Sequence, residues 1–307
     1  MPDGAAAGQS MPMPVFVNAR GGSARRVLPA LAAAGRAVEV HVVEPAALQE
    51  AIRRALDAGA RRVAVAGGDG SIAAAAAVVR GADAELAVIP GGTLNHFAGD
   101  HGIPLAAEAA LEVALRGTVR GVDVATVNDR LFMNTSAVGA YVSFVRTRKR
   151  FQRVVGYRIA SLLAAIRILP QVHSFRARLE TAGEEITGET PLVFVGVGER
   201  ALGPPELGRR VPDGRRALHV MLVGRGATTR HWSRAYDRAA LGREAPVHPH
   251  AHPTLVTDYL VEHCRVELPR PRGTIATDGE LAPMRAPLEY RFHPAALRLV
   301  GPAPESA

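Results

Sequence analysis

Gly67-Gly68-Asp69-Gly70-Ser71 is a run of residues equipped for chemistry. Successive glycines let a backbone turn with positive φ and bring its N–H groups close to a ligand, and a helix opening behind them favours negative charge. That is a phosphate cradle built without lysine. Asp69, set among those donors, is a poor phosphate neighbour unless it holds Mg²⁺ or orients a hydroxyl, so it points to metal-nucleotide chemistry. Alone, the five residues are equally well explained as a tight turn with Ser71 as a helix N-cap.

Two further stretches shift that balance. Asn18-Ala19-Arg20-Gly21-Gly22-Ser23 and Pro90-Gly91-Gly92-Thr93-Leu94-Asn95-His96-Phe97 are also Gly-rich. Asn18, Thr93 and Asn95 supply neutral hydrogen-bonding groups, and Arg20, Arg25 and Arg26 supply positive charge.

Each loop follows an apolar run that reads as a strand: Pro14 to Asn18, Arg62 to Ala66 and Leu86 to Pro90, with Ala37 to Val43 as a fourth. Helical patterns open near Ser23, Pro45 and Ser71, and another follows Pro104. This alternation predicts an α/β fold, a doubly wound, mainly parallel sheet. In such a sheet all three loops emerge on one edge, at the carboxyl ends of the strands, where ligands bind. Their convergence is what turn chemistry alone does not explain.

After Asp123 the pattern changes. Ala125 to Asn134 reads as a hairpin turning at Asn128-Asp129, and a basic helix is predicted from Arg148 to Leu169. Runs at Phe175 to Glu180, Pro191 to Val197, Ala217 to Val223, Cys264 to Leu268 and Leu288 to His293 predict a second, β-rich antiparallel domain. The expected division is a tail over 1–13, a nucleotide-binding domain over 14–125 that 295–303 rejoin, and an acceptor domain over 126–294.

Composition excludes several classes. The 307 residues are 48% hydrophobic and 21% charged, which suits folded domains and rules out disorder or a coiled coil as the main state. A single cysteine, Cys264, excludes an intrachain disulfide and any multi-cysteine metal site. Lys149 is the only lysine beside 36 arginines. No lysine therefore stands where a Walker P-loop or a protein kinase needs one. The net charge of +8 favours anionic partners, but the arginines are dispersed and no aromatic-basic motif accompanies them, so nucleic acid is not expected. His248, His250 and His252 are interleaved with prolines and read as a solvated loop. No signal peptide or membrane span is read, and a cytoplasmic protein is expected.

GGDGS, PGGTLNHFA, the early VNARGG and the late Thr277-Asp278-Gly279-Glu280 together resemble the diacylglycerol kinase catalytic-domain family, which includes bacterial soluble diacylglycerol kinases and sphingosine kinase-like lipid kinases. The likeness runs from about Pro14 along nearly the whole chain, through Phe132-Met133-Asn134 with Gly139 and Gly156-Tyr157. It implies a fold related to NAD kinases and phosphofructokinases with a β-rich second domain. It also implies ATP and Mg²⁺ as cofactors and a lipid acceptor met at the inner face of the membrane. Asn18, Ala19, Arg20, Gly21, Gly22, Gly67, Gly68, Asp69, Gly70, Ser71, Gly92, Thr93 and Asn95 then fall on the segments that hold ATP.

By the same likeness, Asp69 matches an essential aspartate and a metal-linked one, and acid-base function falls on Asp278 or Glu280. A hairpin turn is the plainer reading of Asp278-Gly279 taken alone. Two departures stand out. His96 replaces an aspartate common after the asparagine, and the acidic region that holds a second, structural metal in relatives leaves only Asp213, so that metal is expected to be absent or weak. The implied activity is transfer of the γ-phosphoryl group to a hydroxyl of a diacylglycerol-like or other long-chain lipid. A NAD-kinase-like activity and a weakly catalytic nucleotide or lipid sensor are the alternatives.

Overall fold

The apolar runs that read as strands lie side by side in the computed structural model, which describes residues 11–20, 23–93, 95–152, 163, 174–181, 184–201, 209–223 and 256–303. The chain divides into two units, Met1–Val122 with Leu297–Ala307, and Asp123–Ala296.

In the first unit β1 (Met13–Asn18), β2 (Val38–Val43), β3 (Arg62–Gly67) and β4 (Glu85–Pro90) are all parallel, in the order β2-β1-β3-β4. Val15, Val17, Val63, Val65, Leu86 and Ile89 are fully buried. Strands covered on both faces need such unbroken apolar runs. Helices α1 (Ser23–Ala33), α2 (Leu48–Asp57), α3 (Asp69–Val79), α4 (His96–Asp100) and α5 (Ala107–Arg116) connect them. Ile72, Ala75, Ala76 and Val79 form the buried stripe of α3, three and four residues apart.

Two details differ from expectation. The helix opens at Asp69 with Gly68 as its N-cap, so Ser71 lies inside the first turn and is not the cap. The PGGTLNHF stretch is not all loop, because its last two residues begin the one-turn helix α4.

In the second unit β5 (Thr118–Val127), which begins before the boundary, pairs with β6 (Arg130–Phe132) as the expected hairpin around Asn128, whose φ is 51°. Next come β7 (Thr135–Gly139), helical residues 140–152, β8 (Phe175–Thr181), β9 (Glu184–Thr190), β10 (Leu192–Val197), β11 (Leu218–Val223) and β12 (Val256–Val261). The remaining strands are β13 (His263–Glu267), β14 (Arg272–Thr277), β15 (Glu280–Arg285) and β16 (Leu288–Gly301). One sheet has the order β12-β11-β10-β7-β14-β15 and is antiparallel throughout. The other places β13 between β16 and β8, with β9 beyond. Phe132, Val195, Leu218, Val266, Ile275 and Tyr290 belong to one buried core.

Residues 140–147 are helical, so the helix expected from Arg148 starts earlier; the part of that expectation beyond residue 152 lies outside the described residues. The two separate runs read at 288–293 and 296–300 are one strand, bent at Ala295 (φ 49°), whose Leu299 pairs in parallel with Leu86 of β4. Among the described residues no helix is long and apolar enough to cross a membrane.

Candidate active site

The ends of β1, β3 and β4 are tied together by direct bonds. Asn18, the last residue of β1, donates its side-chain amide to Ser71 Oγ at 2.8 Å, and its Oδ1 accepts the Arg20 N–H at 2.8 Å. The Gly91 N–H donates to the Gly67 carbonyl at 2.8 Å. One residue on, Gly68 and Gly92 meet so closely that a Cβ on Gly92 would lie 2.7 Å from the Gly68 Cα. A Cβ on Gly67 would lie 2.7 Å from Ser71 Cβ. Glycine is required at these positions for close approach.

Asp69 extends the same junction. Its Oδ2 accepts the His96 N–H at 3.3 Å and its Oδ1 the Phe97 N–H at 3.2 Å, so the aspartate of the second loop seats the first turn of α4. Asn95, held in the left-handed region at φ 51°, accepts the Gly92 N–H on Oδ1 at 2.8 Å and donates back to the Gly92 carbonyl at 3.1 Å. Thr93 and Gly70 are exposed, as are Ala19 and Arg20. The α3 N-terminus beside them has no side-chain cap. An uncapped N-terminus next to glycine backbones offers N–H donors and a positive dipole end to an anion.

Arg26 donates to the Gly91 carbonyl at 2.9 Å, and Arg20 pairs with Glu44 at 2.7 Å. Both members of the Arg20 pair are well exposed, at 77% and 57%, and such pairs contribute only about 0–1 kcal/mol, so little holds Arg20 to Glu44. Gly21 and Gly22 lie outside the described residues, as do Leu94 and His248, His250 and His252.

In the second unit Asp278-Gly279 is the two-residue turn joining β14 to β15, with Thr277 opposite Glu280 and φ of 47° and 78°. Both central residues at positive φ define the tight hairpin that favours Asp-Gly. The Asp278 carboxylate is enclosed by backbone. Its Oδ2 accepts the Met133 N–H at 2.9 Å, and its Oδ1 accepts those of Asn134 at 2.8 Å and Thr135 at 2.9 Å. These three bonds from Met133, Asn134 and Thr135 make Asp278 a clasp between the hairpin turn and the start of β7. Glu280 is exposed and touches Lys149 Nζ through Oε2 at 2.8 Å. Of the two carboxylates expected to act as base, Glu280 is the exposed one and Asp278 the one enclosed by backbone amides.

Residues 12–127 match the diacylglycerol kinase catalytic domain, and the match contains all three joined loops. A Pseudomonas aeruginosa protein named "Probable lipid kinase YegS-like" is 36% identical over 188 residues, covering 59% of this chain and 61% of that one. A Staphylococcus aureus diacylglycerol kinase is 31% identical over 172 residues, 50% of this chain and 54% of its own. The chain thus matches a little over half the length of these relatives.

The fold is that of a Bacillus anthracis diacylglycerol kinase structure, with TM-score 0.67 at 20% identity over 95% of this chain and 97% of that one. An NAD kinase from Archaeoglobus fulgidus, solved in complex with ATP, follows at TM-score 0.51 and 13% identity, over 95% and 94%.

Among the described residues no group of three or more His, Cys, Asp or Glu side chains is placed to hold a metal. Mg²⁺ held by one carboxylate together with phosphate oxygens and water needs no such group, and Asp69 is a carboxylate at the loop junction that could hold it so. Asp213 is exposed in a turn at φ 55°, with Glu199 packed beside the next residue, Gly214, and among the described residues no group of three or more such side chains forms around it.

Asp123 went unread in the sequence. It is 3% exposed and accepts two bonds from Arg216 Nε (3.2 and 3.0 Å), one from Arg216 Nη2 (2.6 Å), one from Arg210 (3.4 Å) and the Ala295 N–H (2.9 Å). Burial alone would raise its pKa, but the Arg216 bonds, the Ala295 N–H and the two guanidinium charges outweigh it and hold the carboxyl below its ordinary value. The Lys149–Glu280 pair was also missed. Its signal was available, since a lone lysine among arginines is conspicuous.

Proposed function

We propose that this chain is an ATP- and Mg²⁺-dependent lipid kinase that transfers the γ-phosphoryl group to a hydroxyl of a diacylglycerol-like or other long-chain lipid at a membrane surface. The observation that carries the reading is the junction of three Gly-rich loops at the carboxyl edge of the parallel sheet, inside residues 12–127. The names of the relatives support a lipid as acceptor.

Asn18, Gly68, Gly70 and Thr93 bind and orient the triphosphate through backbone amides and neutral side chains, while Gly92, whose N–H is taken by Asn95, lets the loops approach. Asp69 is the residue that would hold Mg²⁺, which when bound neutralises charge on the phosphate oxygens. Glu280 takes the proton of the acceptor hydroxyl. In a loose phosphoryl-transfer transition state a carboxylate serves by positioning the nucleophile and accepting its proton late. Asp278 holds the turn that presents Glu280.

Purified protein incubated with γ-labelled ATP, Mg²⁺ and either total cellular lipid or NAD tests the reading. Label should appear in a lipid species and be lost in the Glu280→Gln variant. Label in NAD and none in lipid would replace the reading with a nucleotide kinase, and nucleotide binding without transfer to either would make the chain a sensor.

A further inference from the structure

Lys149 is the only lysine in a chain with 36 arginines, and its ammonium lies 2.8 Å from Glu280 Oε2. Its position is fixed by the core. Val142 and Val145 on the helical residues 140–152 pack on Ala276 of β14 and Leu281 of β15, and Lys149 follows Val145 by four residues on the same helix face. Phe144 and Tyr141 stack at 5.8 Å within that contact, and Arg148 is buried with its guanidinium 5.9 Å from the Phe144 ring. The neighbouring cation on the hairpin side, Arg130, donates Nε to Thr277 Oγ1 at 2.8 Å, and among the described residues the ion pair made by Glu280 is the one with Lys149.

We infer that Lys149 is a positioning residue for phosphoryl transfer, and that lysine at this place does what arginine cannot. This rests on Glu280 being the base. An ammonium is a compact point donor, whereas a guanidinium grips a carboxylate in a fork and takes both oxygens. Lys149 holds Oε2 and leaves Oε1 open. The acceptor O–H proton passes to Oε1 as the acceptor oxygen bonds the γ-phosphorus. The bond from phosphorus to the bridging oxygen breaks at the same centre, and ADP leaves with that electron pair. Glu280 afterwards returns its proton to solvent.

The test compares wild type with Lys149→Arg, Lys149→Ala and Glu280→Gln, using labelled ATP, Mg²⁺ and vesicles of total cellular lipid. Glu280→Gln should lose roughly 10²- to 10⁴-fold in kcat, the range for a general base. Lys149→Arg should lose at least about tenfold in kcat, with KM for ATP and the thermal midpoint unchanged, because the fork occupies the accepting oxygen. Lys149→Ala should also fall, and added ethylammonium should restore part of it.

A Lys149→Arg enzyme with wild-type kcat beside an inactive Glu280→Gln enzyme would overturn the inference and leave the base intact. Full activity in Glu280→Gln would overturn both. A loss in Lys149→Ala that tracks a lowered thermal midpoint and ignores the amine would reduce the pair to a structural contact and likewise overturn the inference.

Discussion

Gly68 and Gly92 pack backbone against backbone, and added Cβ atoms would come within 2.7 Å (on Gly92) or 3.2 Å (on Gly68) of the opposing Cα. Neither residue has positive φ, so space alone demands glycine here. Gly92→Ala should therefore force the second and third loops apart. The expected cost is about 1–3 kcal/mol, typical of overpacking, together with weakened nucleotide binding. Urea unfolding and ATP titration measure the two, and a variant matching wild type in both would show that the loops do not meet.

Asp69→Asn tests whether the aspartate works by charge or by tethering. Asparagine keeps one acceptor oxygen but turns an amino group toward the other backbone N–H at the start of α4. Transfer should fall by at least about a hundredfold with loss of the metal-linked charge, and amide exchange at His96 and Phe97 should quicken while the rest of the first unit keeps its protection. Unchanged turnover would remove Asp69 from the chemistry.

Asp278→Ala should be worse for folding than Asp278→Asn. Alanine leaves three amides without acceptors, at a cost of about 1–3 kcal/mol for each buried group left unpaired, and it tolerates the positive φ poorly. Asparagine retains one acceptor and accepts the left-handed conformation. The order of the unfolding midpoints, wild type above Asn above Ala, checks this. Equal midpoints would mean that the clasp contributes nothing.

Asp123 sets an acid limit on the second unit. Its folded pKa lies below the unfolded value of about 3.9, so its contribution is fully present above that value and is lost as pH falls through the folded one. Arg216→Gln should lower the thermal midpoint at pH 7, and the gap to wild type should narrow as the pH is taken below about 4. A gap that stays constant across that window would assign the effect of Arg216 to packing.

How much of this was legible in the sequence depended on distance along the chain. Strands β1, β3 and β4 were plain because both faces are buried and the runs are nearly all apolar, while the edge strand β2 alternates and exposes Val40 and Val42. The three loops were plain because close approach admits only glycine. In the second unit β9 (EEITGET) and β15 (ELAPMR) lack a hydrophobic run; β15 carries Pro283, which an edge strand tolerates. The start of the helix at residue 140 was hidden by Tyr141, Val142, Phe144 and Val145, residue types that favour strands and become a helical stripe only against Ala276 and Leu281. Asp278 was readable as a turn. Its role as a clasp was not, since its donors lie 143 to 145 residues away, and Arg216 is 93 residues from Asp123.

Cys264 is the only thiol, fully buried within the second unit's core, where burial first and the Glu289 charge second push its pKa up. A protonated, shielded sulfur does not react with maleimides or nitroxide reagents. The native chain is in practice a blank background for site-directed labelling. A spin label or fluorophore placed through a new cysteine at exposed Ala19, or in the helix at Arg150, will report on that place alone.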